Sequence, residues 1–129
     1  MGKDRALQAP KGGKMKIAVV GSRNFNNYQL LKNTLDKYKE KCELIISGGA
    51  KGADKLAERY AKENGIETKI FKPDWKRYGK GAGLIRNKQI VENADLIIAF
   101  WDGKSKGTAF TVNYAQKSGK EVEVINYKK

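Results

Sequence analysis

Short runs of β-branched and apolar residues alternate with helix-forming segments along most of this chain. The pattern predicts strands at residues 16–20, 43–47, 68–71, 96–100 and 122–125, with helices between them at 27–39, 53–64, 84–92 and 108–117. Strict alternation requires crossover connections, so the strands pair in parallel and helices cover both faces of the sheet. We therefore predict an α/β fold, a Rossmann-like three-layer sandwich with a mostly parallel five-stranded sheet.

The second predicted helix is the best defined, because its apolar residues recur at i, i+3, i+4, i+7 and i+8. Gly65 follows it and Gly119 follows the fourth predicted helix. Glycine commonly ends a helix in this way. The chain length of 129 residues suits one domain.

Histidine is absent and Cys42 is the one cysteine. This composition excludes Ser-His-Asp and Cys-His catalysis, histidine acid-base chemistry, zinc sites of the usual kind and an intrachain disulfide. No metal or cofactor is expected. A lone cysteine also fits a reducing, cytoplasmic setting.

The chain is strongly basic, with 27 lysines and arginines against 14 acidic residues and a net charge of +13. Residues 1–14 have no periodicity and resemble a flexible tail or a remnant of cloning. They hold four cations and one acid, so the domain expected at 15–129 still carries +10. This charge favours anionic partners such as nucleotides, phosphates or nucleic acid, although solubility alone would also explain it.

No apolar run approaches the ~20 residues that a membrane-spanning helix needs. The longest is residues 96–101. A soluble protein without a signal peptide or a membrane partner is therefore expected.

Three glycine-containing loops follow predicted strands and lead into helices. Because the carboxyl ends of parallel strands meet at one edge of a sheet, these loops are expected to form a single ligand site. Their backbone N–H groups suit an anion. The candidate residues are Gly21, Ser22 and Arg23 after the first strand, Gly48, Gly49, Ala50, Gly52 and Asp54 after the second, and Gly107 and Thr108 after the fourth.

A structural explanation competes with each of these assignments. Gly48, Gly49 and Gly52 are equally explained by a tight turn between strand and helix. Asp54 falls in a first helical turn, where the helix dipole favours a carboxylate by ~0.3–1 kcal/mol without any ligand. Neither the P-loop pattern nor the Gly-x-Gly-x-x-Gly pattern is present.

The segment after the third strand is unusually basic, since residues 69–88 hold seven cations and one acid. It also contains Trp75 and Tyr78, which suit stacking on a nucleotide base while a cation contacts phosphate. A long loop in a compact domain is often functional. Alternatively, the two aromatic side chains cover the core.

Four motifs, in order, resemble the SLOG superfamily and, within it, the YspA-like, YpsA-related group. They are Val20-Gly21-Ser22-Arg23, residues 47–54, Arg86-Asn87 at the third predicted helix, and Gly107-Thr108 at the fourth. The resemblance covers residues 16–127. It implies a nucleotide or a nucleotide-derived ligand, with Arg86 as a charged clamp and Asn87 binding the ligand or capping its helix.

One set of distant relatives is the Lonely Guy phosphoribohydrolases, which release a base from ribose 5′-monophosphate. Arg86 and Gly107-Thr108 match their motifs, but Thr111 stands where they have a catalytic glutamate. Threonine cannot stabilise an oxocarbenium-like transition state by charge. No catalytic residue is therefore predicted, and binding is expected to exceed turnover.

The DprA/Smf group has similar motifs and binds single-stranded DNA. We rank a nucleotide-derived small ligand first, as in a protein that senses or sequesters a signal. Single-stranded nucleic acid ranks second and glycosidic hydrolysis third. The prediction also allows a homo-oligomer.

Overall fold

A computed structural model describes residues 14–128. The interpretation of residues 1–14 as a tail or a cloning remnant therefore lies outside the described residues, except for Lys14.

The described chain contains five strands, with one α-helix between successive strands except between the third and the fourth, where there are two. The strands are β1 (Met15–Gly21), β2 (Cys42–Ser47), β3 (Glu67–Ile70), β4 (Leu96–Trp101) and β5 (Glu121–Asn126). The helices are α1 (Tyr28–Asp36), α2 (Ala53–Glu63), α3 (Trp75–Tyr78), α4 (Ala82–Asn93) and α5 (Lys106–Lys117), with 3-10 turns at Lys39–Lys41 and Gly79–Gly81.

The strands form one sheet in the order β3-β2-β1-β4-β5, and every neighbouring pair is parallel. The predicted α/β sandwich is confirmed. From β1 the chain builds outward through β2 to β3, and then returns to the other side of β1 to add β4 and β5. The order of strands therefore reverses between β1 and β4, where a crevice forms at their carboxyl ends.

Alternating side chains of the buried strands serve the two faces of the sheet. Ile17 and Val19 of β1 lie in the core cluster that α1 and α2 cover, whereas Ala18 and Val20 lie in the cluster of the opposite face, with residues of α4 and α5. Central strands buried on both faces explain the continuous apolar runs of the sequence.

The expectation that helices cover both faces fails at one edge. All four residues of β3 are exposed. This strand is short, consists of three polar or charged residues followed by Ile70, and pairs only with β2 within the described chain.

Helix ends account for the other differences from the predicted boundaries. Ser105 caps α5 by accepting a hydrogen bond from the Thr108 N–H, so this helix begins at Lys106 and not at Thr108. The segment expected as a loop after β3 contains α3, because the Asp74 side chain caps its first turn. Gly65 and Gly119 follow their helices at φ of 66° and 77°, as predicted.

Among the described residues, no helix is both long enough and apolar enough to cross a bilayer.

The turn between β2 and α2 requires glycine at position 52. Gly52 has a φ of 84°, and a Cβ atom there would lie 2.4 Å from the Ser22 carbonyl oxygen. We expect Gly52→Ala to lower the free energy of unfolding by about 2 kcal/mol or more, since both the backbone conformation and the close approach are lost. Urea denaturation measures the change.

Gly83→Ala is the matched control. Its Cβ atom would have Trp75 as its nearest neighbour at 3.8 Å, an ordinary contact, and its backbone is helical. This variant should be as stable as the unmodified protein, or more stable by up to ~1 kcal/mol. Equal losses in the two variants would contradict the argument.

Candidate functional site

A cavity of about 470 Å³ opens at the carboxyl ends of β1 and β4, where the strand order reverses. Segments that are distant in sequence meet around it. The predicted site residues that line it are Gly21, Ser22, Arg23, Ala50, Asp54, Arg86, Asn87, Gly107 and Thr108.

Three predicted glycines lie behind the cavity lining. A Cβ atom on Gly48 would lie 2.6 Å from Arg86 Nη1 and 2.9 Å from Asp54 Oδ2, so protein atoms fill the space beside it. Gly49 and Gly52 have positive φ and shape the same turn. The surroundings of these three glycines therefore support the structural explanation, a tight turn between β2 and α2, over direct contact with a ligand.

The two predicted stacking residues also lie outside this cavity. Trp75 is 56% exposed and Tyr78 is 39% exposed, so neither covers the core. Tyr78 lines a smaller neighbouring cavity of about 230 Å³.

Asp54 orders the loop between β2 and α2. Its Oδ2 atom accepts hydrogen bonds from the backbone N–H groups of Gly48 (3.0 Å) and Ala50 (3.2 Å). Burial raises the pKa of Asp54 to about 6, although these hydrogen bonds and the charge of Arg86 favour the ionised form. The Asp54 carboxyl group at the cavity wall therefore holds this loop in place through its hydrogen bonds.

Arg86 projects from α4 and holds the same loop from the other side. Its Nη1 atom donates to the carbonyl oxygens of Gly48 (2.7 Å) and Phe71 (3.3 Å), and its Nε atom donates to Asn87 Oδ1 (2.8 Å). Burial lowers the pKa of Arg86, opposed by the nearby Asp54 carboxylate. The predicted charged clamp therefore has a structural role, and it also fixes the side chain of Asn87.

The loop between β4 and α5 completes the wall. Asp102 Oδ1 accepts from the N–H groups of Lys104 and Ser105, each at 2.8 Å, and these bonds hold the pKa of Asp102 below its usual range. The Asp102 N–H in turn donates to Ser22 Oγ at 3.2 Å, which ties this loop to the end of β1.

Several lining residues were not predicted as site residues. The polar ones are Asn24, Asp102, Ser105 and Thr111, and the apolar ones are Val20 and Ile90. The sequence did contain a signal for Ser105, because serine is favoured as the residue that caps the N-terminus of a helix. Thr111 is buried and its hydroxyl donates to the Gly107 carbonyl oxygen at 2.9 Å, one turn earlier in α5.

Residues 15–78 match the model of the YspA, cpYpsA-related SLOG family. The Gene 61 protein of Mycobacterium phage D29 is 38% identical over 90 residues, which cover 65% of this chain and 70% of that protein. The chain belongs to this SLOG family. The predicted resemblance is confirmed, and the shared region includes β1, β2 and the glycine loops that follow them.

Solved structures with the same fold include two DNA processing proteins. DprA from Streptococcus pneumoniae has a TM-score of 0.74 at 22% identity, covering 86% of this chain but 50% of that chain. DprA from Helicobacter pylori, described for its single-stranded DNA binding mode, has a TM-score of 0.66 at 24% identity, covering 85% and 64%. This SLOG chain thus spans about half the length of the pneumococcal protein.

The raised pKa of Asp54 predicts a characteristic pH dependence of stability. Since the folded protein binds this proton more tightly than the unfolded chain, the stabilisation is fully present below the usual pKa of 3.8 and is lost as the pH rises through about 6. We expect the unmodified protein to lose about 2 kcal/mol of unfolding free energy relative to Asp54→Asn between about pH 4.5 and about pH 7.5.

Denaturant titrations of both proteins at the two pH values measure this difference. Asp95→Asn is the control, since Asp95 is another hydrogen-bonded aspartate, whose Oδ2 accepts from the Lys16 N–H. A pH dependence that Asp54→Asn leaves unchanged would contradict the assignment.

Proposed function

We propose that the chain binds a nucleotide or a nucleotide-derived small molecule in the cavity between β1 and β4, as a protein that senses or sequesters it. The main support is that segments after three different strands and the middle of α4 line one cavity of about 470 Å³. That volume falls within the ~300–1,000 Å³ of small-molecule sites. Family membership and the position at the strand reversal agree with it.

The first turn of α5 is the proposed phosphate position. Gly107 lines the cavity, and space is open around it, since a Cβ atom there would meet nothing within 4 Å. Free N–H groups and the helix dipole favour an anion at the start of this twelve-residue helix. Arg23, exposed directly after β1, adds a positive charge to the cavity lining.

The cavity chemistry supports binding more than hydrolysis. Thr111 supplies a hydroxyl and not a carboxylate. The two carboxylates in the wall, Asp54 and Asp102, each accept two backbone N–H groups of their own loops. A carboxylate held in this way to order a loop is poorly placed to approach a sugar.

Arg23→Ala tests the proposed site. No hydrogen bond or ion pair joins the Arg23 side chain to another part of residues 14–128, so its removal should leave the fold intact. Loss of a charged contact to phosphate typically costs ~1.5–3 kcal/mol, so affinity should fall about tenfold or more. Calorimetric titration with the four ribonucleoside 5′-monophosphates measures it.

Lys51→Ala is the matched control, because the exposed Lys51 side chain does not line the cavity, although it lies in the loop between β2 and α2. Its affinity should stay within about twofold of the unmodified value. Equal affinities for Arg23→Ala and the unmodified protein would remove Arg23 from the site.

Single-stranded nucleic acid is the second candidate. Trp75 and Tyr78 are exposed on a basic segment, and Arg77 lies 5.3 Å from the Tyr78 ring centroid. An exposed aromatic platform beside cations suits stacked bases. The fold shared with the Helicobacter pylori DprA, described for its single-stranded DNA binding, adds support.

The dependence of affinity on oligonucleotide length and on salt concentration distinguishes the two candidate functions. A pocket binder should show weak dependence on oligonucleotide length, whereas a strand binder should gain affinity with length and lose it with salt at a log-log slope of about −0.7 per phosphate contacted. Trp75→Ala should then cost ~1–3 kcal/mol. Fluorescence anisotropy measures these trends, and tight length-dependent binding would overturn the first proposal.

A further inference from the structure

A second cavity of about 230 Å³ adjoins the first one at Arg86, which lines both. It lies between the residues that follow β3 and the first turns of α4. Its polar lining comes from Lys72, Asp74, Arg77, Tyr78, Arg86 and Gln89. The volume is below that of a typical independent small-molecule site, so this cavity suits an extension of the larger one.

The charge of this second cavity is positive and largely uncompensated. Lys72 and Arg77 form no ion pair with any residue of the described chain. The one acidic side chain, Asp74, uses its Oδ1 atom to accept the backbone N–H of Arg77 at 3.1 Å and so caps α3. Cations that converge on a concave surface without acidic partners favour a bound anion.

The Arg86 side chain lies between the two cavities and is held in a fixed position. Hydrogen bonds from Nη1 to the Gly48 and Phe71 carbonyl oxygens hold its guanidinium in place. Its Nη2 atom has no hydrogen-bond partner among the described residues. An anion on either side of the guanidinium would therefore meet a positive group that needs no rearrangement to bind it.

We infer that the ligand is a dinucleotide joined by a phosphodiester, with one nucleotide in the larger cavity and the second phosphate between Arg86, Lys72 and Arg77. This inference rests on the proposed function and extends it. The second base lies against Tyr78, whose ring is 39% exposed at this cavity. A mononucleotide would leave the second cavity and its cations unused.

The test compares two ligand sizes on two variants of equal charge. The variant Lys72→Ala/Arg77→Ala removes two cations from the second cavity. The control Lys76→Ala/Lys80→Ala removes two exposed cations from the same segment that do not line it. Calorimetry uses the four ribonucleoside 5′-monophosphates and the four matching 5′-phosphorylated linear homodinucleotides.

We expect the best dinucleotide to bind the unmodified protein at least about tenfold more tightly than its mononucleotide. The cavity variant should lose about tenfold or more in dinucleotide affinity and less than about twofold in mononucleotide affinity. The control should change both by less than about twofold.

Other outcomes separate the two proposals. If mononucleotides bind and Arg23→Ala weakens them, but dinucleotides bind no better, the inference fails and the proposed function stands. If neither ligand class binds, both fail. Equal dinucleotide losses in the cavity and control variants overturn the inference, as does an affinity that keeps rising for ten-residue oligonucleotides, which would indicate a nucleic-acid strand.

Discussion

The two backbone polar groups of Gly48 are held by side chains from two helices, and the candidate site depends on this arrangement. Its N–H donates to Asp54 of α2 at 3.0 Å, while its carbonyl oxygen accepts from Arg86 of α4 at 2.7 Å. A larger residue would displace both side chains, because a Cβ atom there would lie 2.6 Å from Arg86 Nη1 and 2.9 Å from Asp54 Oδ2. Helices on opposite faces of the sheet are thereby joined through the backbone of one residue, directly after β2.

This arrangement explains why the two charged residues do not cancel each other as a simple ion pair. Burial opposes the charge on both, raising the pKa of Asp54 and lowering that of Arg86. Each is satisfied by backbone groups of the loop between them. Those bonds use Nε and Nη1 of Arg86 and leave Nη2 without a partner among the described residues, and the guanidinium borders both cavities.

The sequence was sufficient for the fold, since the buried strands are continuous apolar runs and the helix stops are glycines. It also identified most of the cavity wall, because glycine loops after parallel strands must meet at one edge. It could not show which glycines line the cavity. Gly48 and Gly52 are required by protein atoms behind the wall, and that depends on tertiary contacts from Arg86 and from Ser22. The exposure of β3 was equally impossible to predict, because a strand of four residues is too short for its hydrophobic pattern to indicate burial.

The distribution of charge around the cavities depends on which charged side chains are hydrogen-bonded to the backbone. One carboxylate oxygen of Asp54 and one of Asp102 each accept two backbone N–H groups, and these hydrogen bonds partly offset the negative charge of the two side chains. Arg23, Lys72 and Arg77 have no acidic partner within residues 14–128. The acidic groups thus order the loops, whereas these three basic groups remain exposed, and this asymmetry is the electrostatic basis for proposing a phosphate-containing ligand.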